Sequence, residues 1–327
     1  MQIRRRAVLG AAMLAAPAIA HAQAQTIGPW PERPMRFVIG GSAGGVSDIL
    51  VRILEQRLRE KLGQPLVLDP RPGAGGMVGA EVVARSPGAG YNFYINHIAS
   101  HGIGPSLYKR LAFDPLRDLP GVARLASMPN VLIVKGDSPH RTVQDLVVFC
   151  RAHPEKAVFS SAGTGTSSHL SGVLFGLRIG VETTHVPYRG TAPSMAAVLN
   201  GEVLFAIDNA PASRQQVLAG MLRALAVSTA ERASTMPELP SLEEQGVKDF
   251  DVASWYGIVA PAATPRPIVE RMGKELVEAL GDPGLAQRYR DFGAEPKPLG
   301  PAEYDAYMRA EAAKWAPVVR ASGASVD

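Results

Sequence analysis

Residues 40–48 read GGSAGGVSD, and they join a short run of strand-forming residues, Met35–Ile39, to an amphipathic segment, Asp48–Leu62. Leucines recur at every fourth position of that segment, on one face of a helix. The order strand, glycine-rich turn, helix is typical of α/β proteins. Because the first N–H groups of a helix lack partners and the helix dipole favours negative charge there, this first turn is a predicted anion site.

A second turn of the same kind follows about 120 residues later. Residues 160–169 read SSAGTGTSSH, between a predicted strand, Ala157–Ser160, and a predicted helix, Ser168–Leu177. Serine and threonine also serve as ordinary helix N-caps, so capping explains either turn alone equally well. Two such turns on two halves of one chain instead predict a ligand that is gripped from both sides.

The rest of the chain alternates strand-like and helix-like segments, which predicts an α/β protein with a mostly parallel sheet. Residues Val122–Val134 read as extended chain with an interruption at Met128-Pro129-Asn130, and we expect them to form a first crossing between two domains. A further strand, Ser254–Ala260, is expected to return to the first domain. The other predicted strands are Leu66–Leu68, Tyr91–Asn96, Thr184–Tyr188, Val203–Ile207 and Leu222–Val227. The other predicted helices are Met77–Arg85, Thr142–Ala152, Ala192–Leu199, Ser213–Ala219, Pro267–Leu280, Pro283–Phe292 and Pro301–Val319.

The N-terminal residues are typical of an export signal. Three arginines, Arg4-Arg5-Arg6, precede the uncharged apolar run Ala7–Ala20, and Ala20-His21-Ala22 fits a small-x-small cleavage site. We therefore expect residues 1–22 to be a signal peptide and Gln23 to begin a periplasmic protein, by either the general or the twin-arginine route. With no cysteine near the cleavage site, a lipoprotein anchor is not expected.

Composition argues against several other functions. Without residues 1–22 the chain has 31 basic and 30 acidic residues, so its net charge is near +1, and nucleic acid is not an expected partner. The single cysteine, Cys150, permits no internal disulfide and is expected in the core. The seven histidines show no metal-ligand spacing, so neither a metal nor another cofactor is predicted.

The first turn also matches the GxSxG motif of α/β-hydrolases, with Ser42 as nucleophile. That fold builds several strands before its nucleophile, whereas only one is predicted here. A later base is hard to place because no histidine follows His185. An esterase that uses Ser42 therefore remains the alternative to a binding protein.

Seven motifs together carry a family resemblance. They are Gly44-Gly45-Val46-Ser47-Asp48, Arg71-Pro72-Gly73-Ala74-Gly75-Gly76, Pro105-Ser106-Leu107-Tyr108-Lys109, Gly163-Thr164-Gly165-Thr166-Ser167-Ser168-His169-Leu170, His185-Val186-Pro187-Tyr188-Arg189-Gly190, Asp208-Asn209 and Leu222-Arg223-Ala224-Leu225-Ala226-Val227. With them, the chain from Trp30 onward resembles the Bug-type extracytoplasmic solute-binding proteins of tripartite tricarboxylate transporters.

The resemblance implies a type II periplasmic-binding-protein fold, a two-lobed Venus flytrap with two interdomain crossings. Lobe I is expected at residues 23–126 and 252–327, and lobe II at residues 127–251. The implied ligand is a small carboxylate: a di- or tricarboxylate, an acidic amino acid or an aromatic acid. The implied partners are the membrane permease or a sensor kinase; the protein is expected to be a monomer without catalytic residues.

The positions that match the family's motifs place the ligand contacts in both lobes. The expected ligand-binding residues are Ser42, Gly44, Gly45, Ser47, Asp48, Ser100, His101, Thr164, Gly165, Thr166, Ser167, Ser168, Asp208 and Asn209. The first turn departs from the family's pattern, because Gly40–Ala43 replaces a Pro-Phe-Ala-Pro type approach and Val46 replaces a small polar residue. We therefore expect a more flexible first turn and a less polar acid as ligand.

Overall fold

The computed structural model describes residues 28–327. The predicted signal peptide at 1–22 and the predicted new N-terminus at Gln23 lie outside these residues. The ten described strands are Met35–Ile39 (β1), Leu66–Pro70 (β2), Asn92–His97 (β3), Gly121–Lys135 (β4), Val158–Ser161 (β5), Thr184–Pro187 (β6), Phe205–Asn209 (β7), Leu222–Val227 (β8), Ala253–Val259 (β9) and Glu295–Leu299 (β10).

Helices connect and cover these strands. They are Val46–Leu62 (α1), Met77–Ala84 (α2), Gly104–Leu107 (α3), Pro115–Asp118 (α4), Val143–Ala152 (α5), Ser167–Ile179 (α6), Thr191–Asn200 (α7), Ala210–Leu218 (α8), Arg266–Leu280 (α9), Pro283–Asp291 (α10) and Pro301–Ala321 (α11). A π-helical turn, Ile98–Ile103, precedes α3. No helix within residues 28–327 is both long and apolar enough to cross a membrane.

The strands form two similar half-sheets that share β4. The first half has the order β2-β1-β3-β9-β4, with β10 also on β4; the second has the order β6-β5-β7-β4-β8. In each half three strands run parallel, and the next strand along the order runs antiparallel to them. The prediction of a mostly parallel sheet was therefore wrong. The sheet is mixed because β9 and β4 run against the parallel strands.

Strand β4 passes from one half-sheet into the other. Residues 121–129 pair with β9, and residues 130–135 pair with β7 and β8. The predicted interruption at Met128-Pro129-Asn130 was wrong, because the strand is continuous there. Pro129 lies opposite Ala253, the first residue of β9, where the first half-sheet ends, so its missing N–H falls at a change of partner strand.

The long C-terminal helix α11 is fastened to the first half-sheet by buried polar groups. The indole N–H groups of Trp255 and Trp315 both donate to Glu311 Oε2, at 2.9 and 3.1 Å. The Tyr304 hydroxyl donates to Asn96 Oδ1 at 2.8 Å. All five side chains are buried, so these bonds fix the position of α11 against β3 and β9.

Most predicted elements lie within a few residues of the observed ones, whereas β10 was missed. Its sequence, EPKPL, contains two prolines and shows no apolar alternation. It pairs with β4 as an edge strand, the position in which proline is tolerated. Cys150 is fully buried, as its apolar neighbours indicated, and burial raises the pKa of its thiol to about 11.

Candidate ligand-binding site

The first turn opens α1 without a side-chain cap. Gly45 is the N-cap residue, in an extended conformation, and no side chain accepts from the N–H groups of the first helical turn. Gly44 has φ +74°, in the left-handed region that glycine adopts readily, and the Gly45 N–H donates to the Ser42 carbonyl oxygen at 3.1 Å. The Ser42 side chain is exposed. The turn thus leaves backbone donors at the carboxyl end of β1 free for an anion.

Asp48 is buried in the first turn of α1, yet it is paired. Its Oδ2 accepts from the Gly44 N–H at 3.0 Å and from Arg52 Nε at 2.8 Å. Burial acts to raise the pKa of Asp48, but the bonds from Arg52 and Gly44 outweigh it and the pKa lies below its ordinary value. Asp48 is therefore ionised, and its charge is balanced by Arg52. Its other oxygen, Oδ1, is buried and has no partner among the described residues.

The departure from the family's sequence pattern at Gly40 has a packing reason. A Cβ atom on Gly40 would lie 2.4 Å from the Tyr94 hydroxyl oxygen and 2.7 Å from Gly76 Cα. That hydroxyl also donates to the Gly76 carbonyl oxygen at 2.8 Å. Glycine at position 40 therefore lets the first turn sit directly on Gly76 and Tyr94, and the greater flexibility expected of this turn stays a prediction. No close neighbour constrains Gly41 in the same way.

Two predicted residues lie just after β3, in the π-helical turn. Ser100 and His101 are fully buried, and the Ser100 hydroxyl lies 3.0 Å from His101 Nδ1. Burial, together with neighbouring His97, lowers the pKa of His101 to about 3, so its ring is neutral. Its Nε2 is buried and has no partner within residues 28–327.

The second turn is capped, unlike the first. Thr166 is the N-cap of α6, and its Oγ1 accepts from the His169 N–H at 3.3 Å. Ser168 turns back to accept from the Ala162 N–H at 3.0 Å. A Cβ atom on Gly165 would lie 2.2 Å from a methyl carbon of Leu107 in α3. The second turn therefore packs closely against a helix of the first half of the fold, while Thr164 remains exposed.

A chain of buried hydroxyl and amide groups ties the second turn to β9 and β4. The Ser167 hydroxyl lies 2.9 Å from that of Ser254 on β9, and Ser254 Oγ donates to Asn130 Oδ1 at 3.3 Å. Asn130, on β4, in turn donates to the Ser171 hydroxyl at 3.1 Å. Ser254 and Asn130 were not predicted as site residues; the signal available was a polar residue within a predicted extended segment.

Asp208 and Asn209 end β7, where the register puts them opposite Val131 and Asn130 of β4. Asp208 is 1% exposed; its Oδ1 accepts from the Asn209 N–H at 2.7 Å, and its Oδ2 has no partner among the residues described. Burial raises the pKa of Asp208 to about 7, although the bond from the Asn209 N–H and the nearby Thr191 side chain act to lower it.

Tyr256 on β9, which was not predicted as a site residue, connects the two groups of predicted residues. Its ring centroid lies 6.0 Å from that of His97 at the end of β3. Burial and the nearby charge of Asp208 raise the pKa of its phenol. Tyr256 thus stands between the end of β3 and the end of β7.

The predicted residues lie at or just beyond the carboxyl ends of β1, β3, β5 and β7, which are parallel strands of the two half-sheets. Ligands of open α/β sheets bind outside the carboxyl ends of parallel strands, so these positions share the property expected of a site. Contacts join the second turn to β9 and to α3. No hydrogen bond within residues 28–327 links residues 42–48 to residues 164–168, and their opposition across one cleft stays a prediction.

The geometry does not favour the esterase alternative. The four histidines that could serve as its base contact other groups: His140 and His153 pack on Phe149, while His169 on α6 and His185 on β6 lie in the second half of the fold. There, His169 accepts from the Gly165 N–H, and His185 lies 2.6 Å from the Ser161 hydroxyl. Ser42 makes no hydrogen bond to a histidine in the described part of the chain. Residues 28–327 also contain no group of three or more histidine, cysteine, aspartate or glutamate side chains that could hold a metal ion.

Comparison with known proteins supplies a family. The model of the tripartite tricarboxylate transporter family receptor matches residues 50–324. The protein BugT of Bordetella pertussis is 30% identical over 324 residues, which are 99% of this chain and 98% of BugT.

Solved structures are similar over most of the chain. The Rpa4515 protein of R. palustris, determined with adipate, is 36% identical with a TM-score of 0.82, covering 91% of this chain and all of that one. The periplasmic binding protein BugD is 32% identical with a TM-score of 0.77, over 90% and 99% of the two chains. MatC of Rhodopseudomonas palustris, determined with bound malate, is 29% identical with a TM-score of 0.77, over 89% and 100%.

Proposed function

The chain belongs to the tripartite tricarboxylate transporter receptor family and has its two-lobed, type II periplasmic-binding-protein fold, and we propose that it is a periplasmic receptor for a small dicarboxylate. Adipate and malate, bound by two relatives, are the first candidates. Delivery of the ligand to a membrane permease is part of the proposal, because the family is defined by that transporter. A sensor kinase is the alternative partner.

The start of α1 is the observation that carries this proposal. Its first N–H groups have no side-chain cap, and the one carboxylate near them, Asp48, is drawn onto Gly44 and Arg52. A ligand carboxylate that binds there would meet free backbone donors and the positive end of the helix dipole. Charge-assisted hydrogen bonds of this kind contribute about 1.5–3 kcal/mol each, so several could support micromolar binding.

Unsatisfied polar atoms further support the predicted positions. Buried polar groups normally have hydrogen-bond partners, so an atom without one requires an explanation. Within residues 28–327 only seven buried side-chain oxygen or nitrogen atoms lack a partner, and four of them belong to predicted ligand-binding residues. These four are Asp48 Oδ1, His101 Nε2, Asp208 Oδ2 and Asn209 Oδ1. A ligand with its bound water is a source of the missing partners.

Closure of the two lobes would complete the site. We place the lobes at residues 23–126 with 252–327 and at 127–251, because β4 changes partner strands near Pro129 and β9 begins at Ala253. Since the chain passes between these lobes within β4 and again just before β9, these two points are the natural hinge. A ligand bound to both turns would favour the closed arrangement and present a changed outer surface to the permease.

A carboxylate placed on the protein at residue 45 tests the role of the α1 N-terminus. In Gly45→Asp the new side chain would accept from the first N–H groups of the helix and repel an anion there. We expect Gly45→Asp to lose binding of adipate and malate by at least about tenfold in Kd, measured by titration calorimetry.

The matched control is Gly45→Ala, which adds the same Cβ atom, 3.0 Å from the Ser42 carbonyl oxygen, without a charge. Because aspartate is the better N-cap by about 0.5–2 kcal/mol, Gly45→Asp should unfold at no lower temperature than Gly45→Ala. Equal ligand affinity of the two variants would contradict the proposed anion site. Ester hydrolysis that disappears in Ser42→Ala would favour the enzyme alternative instead.

A further inference from the structure

Asp208 is a buried carboxyl group without a cationic partner. It is 1% exposed, Oδ1 takes one backbone N–H, and Oδ2 takes none within residues 28–327. Asp48, the other buried aspartate of the predicted site, differs because Arg52 pairs with it. Burying an unpaired carboxylate costs far more than burying the neutral acid, so such a group tends to keep its proton.

The surroundings of Asp208 supply no compensating charge. Strands β4 and β5 and helices α6, α7 and α8 pack against β7. Strand β5 and helix α7 carry no titratable side chain. The titratable and charged side chains on the others are Arg124 and Lys135 on β4, His169 and Arg178 on α6, and Arg214 on α8.

None of these five side chains contributes to the pKa of Asp208, which is raised to about 7 by burial. The groups that do act on Asp208 are the Asn209 N–H and the Thr191 side chain, and its charge acts on the phenol of Tyr256. At neutral pH the carboxyl is therefore poised between its two forms. An anion that arrives nearby would shift it further toward the protonated form.

We propose that Asp208 binds the ligand as a neutral acid and donates its proton in a hydrogen bond to a ligand carboxylate, so that above neutral pH capture takes up close to one proton from solvent. This inference rests on the proposed function, since it needs Asp208 to face a bound carboxylate. The unpartnered Oδ2 is the atom that carries the proton. Asp208 would then select ionised carboxylates, for which its O–H is the matching donor.

The pH dependence of affinity tests the proposal. Above the pKa of the free receptor the proton must be supplied on binding, so Kd should rise with pH and stay flat below it. With a pKa of about 7 and a higher value in the complex, Kd for adipate or malate should rise roughly 50- to 100-fold between pH 6.5 and pH 9. Titration calorimetry of the wild-type protein at pH 8 in buffers of different ionisation enthalpy should show uptake of close to one proton.

Two variants of equal charge change make the test specific. Asp208→Asn keeps a donor but cannot titrate, so its Kd should lose the dependence on pH. Asp137→Asn removes an exposed aspartate of lobe II that pairs with Lys135, and its Kd should keep the wild-type dependence. A wild-type Kd that is constant from pH 6.5 to 9, or Asp208→Asn with the wild-type slope, would overturn the proposal while leaving carboxylate capture intact. If neither adipate nor malate binds at any pH, the proposed function fails for these two acids, and the proposed proton uptake fails with it.

Discussion

At the scale of single residues, close backbone contacts fix the shape of the first turn. Gly40→Ala would force a Cβ atom against the Tyr94 hydroxyl and Gly76 Cα, and we expect it to lower the free energy of unfolding by about 1–3 kcal/mol. Gly41→Ala is the control, because nothing lies within 4 Å of its Cβ position and its φ is not in the left-handed region. It should stay within about 0.5 kcal/mol of wild type. Urea unfolding measures the free energy of unfolding of both variants. An equal loss in Gly40→Ala and Gly41→Ala would contradict the close packing at Gly40.

Which site residues a sequence can reveal depends on how local their chemistry is. The second turn was expected to be able to cap a helix, and Thr166 does cap α6, because capping needs only a hydroxyl just before the helix starts. The hydrogen bond between Ser167 and Ser254 joins residues 87 positions apart, and no local pattern signals it. Tyr256 was missed for the same reason, since only the assembled sheet brings it between β3 and β7.

At the scale of elements, the prediction worked where one physical signal dominated. Strand β1 and helix α1 lie close to their predicted bounds because apolar periodicity and the turn agree. Strand β10 could not be predicted, since its pairing with β4 comes from the fold and its two prolines argue against a strand. The direction of β9 was also inaccessible, because it depends on where the chain returns rather than on residues 253–259.

Helix α11 gives a test at the same scale. Glu311→Ala would leave the buried indole N–H groups of Trp255 and Trp315 without an acceptor. An unsatisfied buried donor costs about 1–3 kcal/mol, so we expect the free energy of unfolding to fall by about 2–4 kcal/mol. Arg320→Ala, an exposed change near the end of the same helix, should cost less than about 0.5 kcal/mol. Chemical denaturation compares the two variants. If Glu311→Ala lowered the free energy of unfolding as little as Arg320→Ala does, other contacts would hold α11 in place.

At the scale of the whole molecule, the two half-sheets repeat one strand order and share β4. In each half the central parallel strand, β1 or β5, is followed by a glycine-rich turn and then by a helix, α1 or α6. The two turns differ, because α6 is capped by Thr166 whereas α1 is uncapped. Ligand capture is therefore expected to depend most on the first turn, although its sequence departs further from the family's pattern.

The measurement that tests carboxylate capture most directly is titration calorimetry of the protein with adipate and malate, each paired with its neutral diamide. We expect at least one acid to bind one to one with a Kd near or below about 10 μM, which corresponds to roughly −7 kcal/mol. The paired diamide should give no measurable binding, since it lacks the charge that the α1 N-terminus favours. The absence of binding by either acid at millimolar concentration, or a diamide that binds as tightly as its acid, would contradict carboxylate capture by this protein.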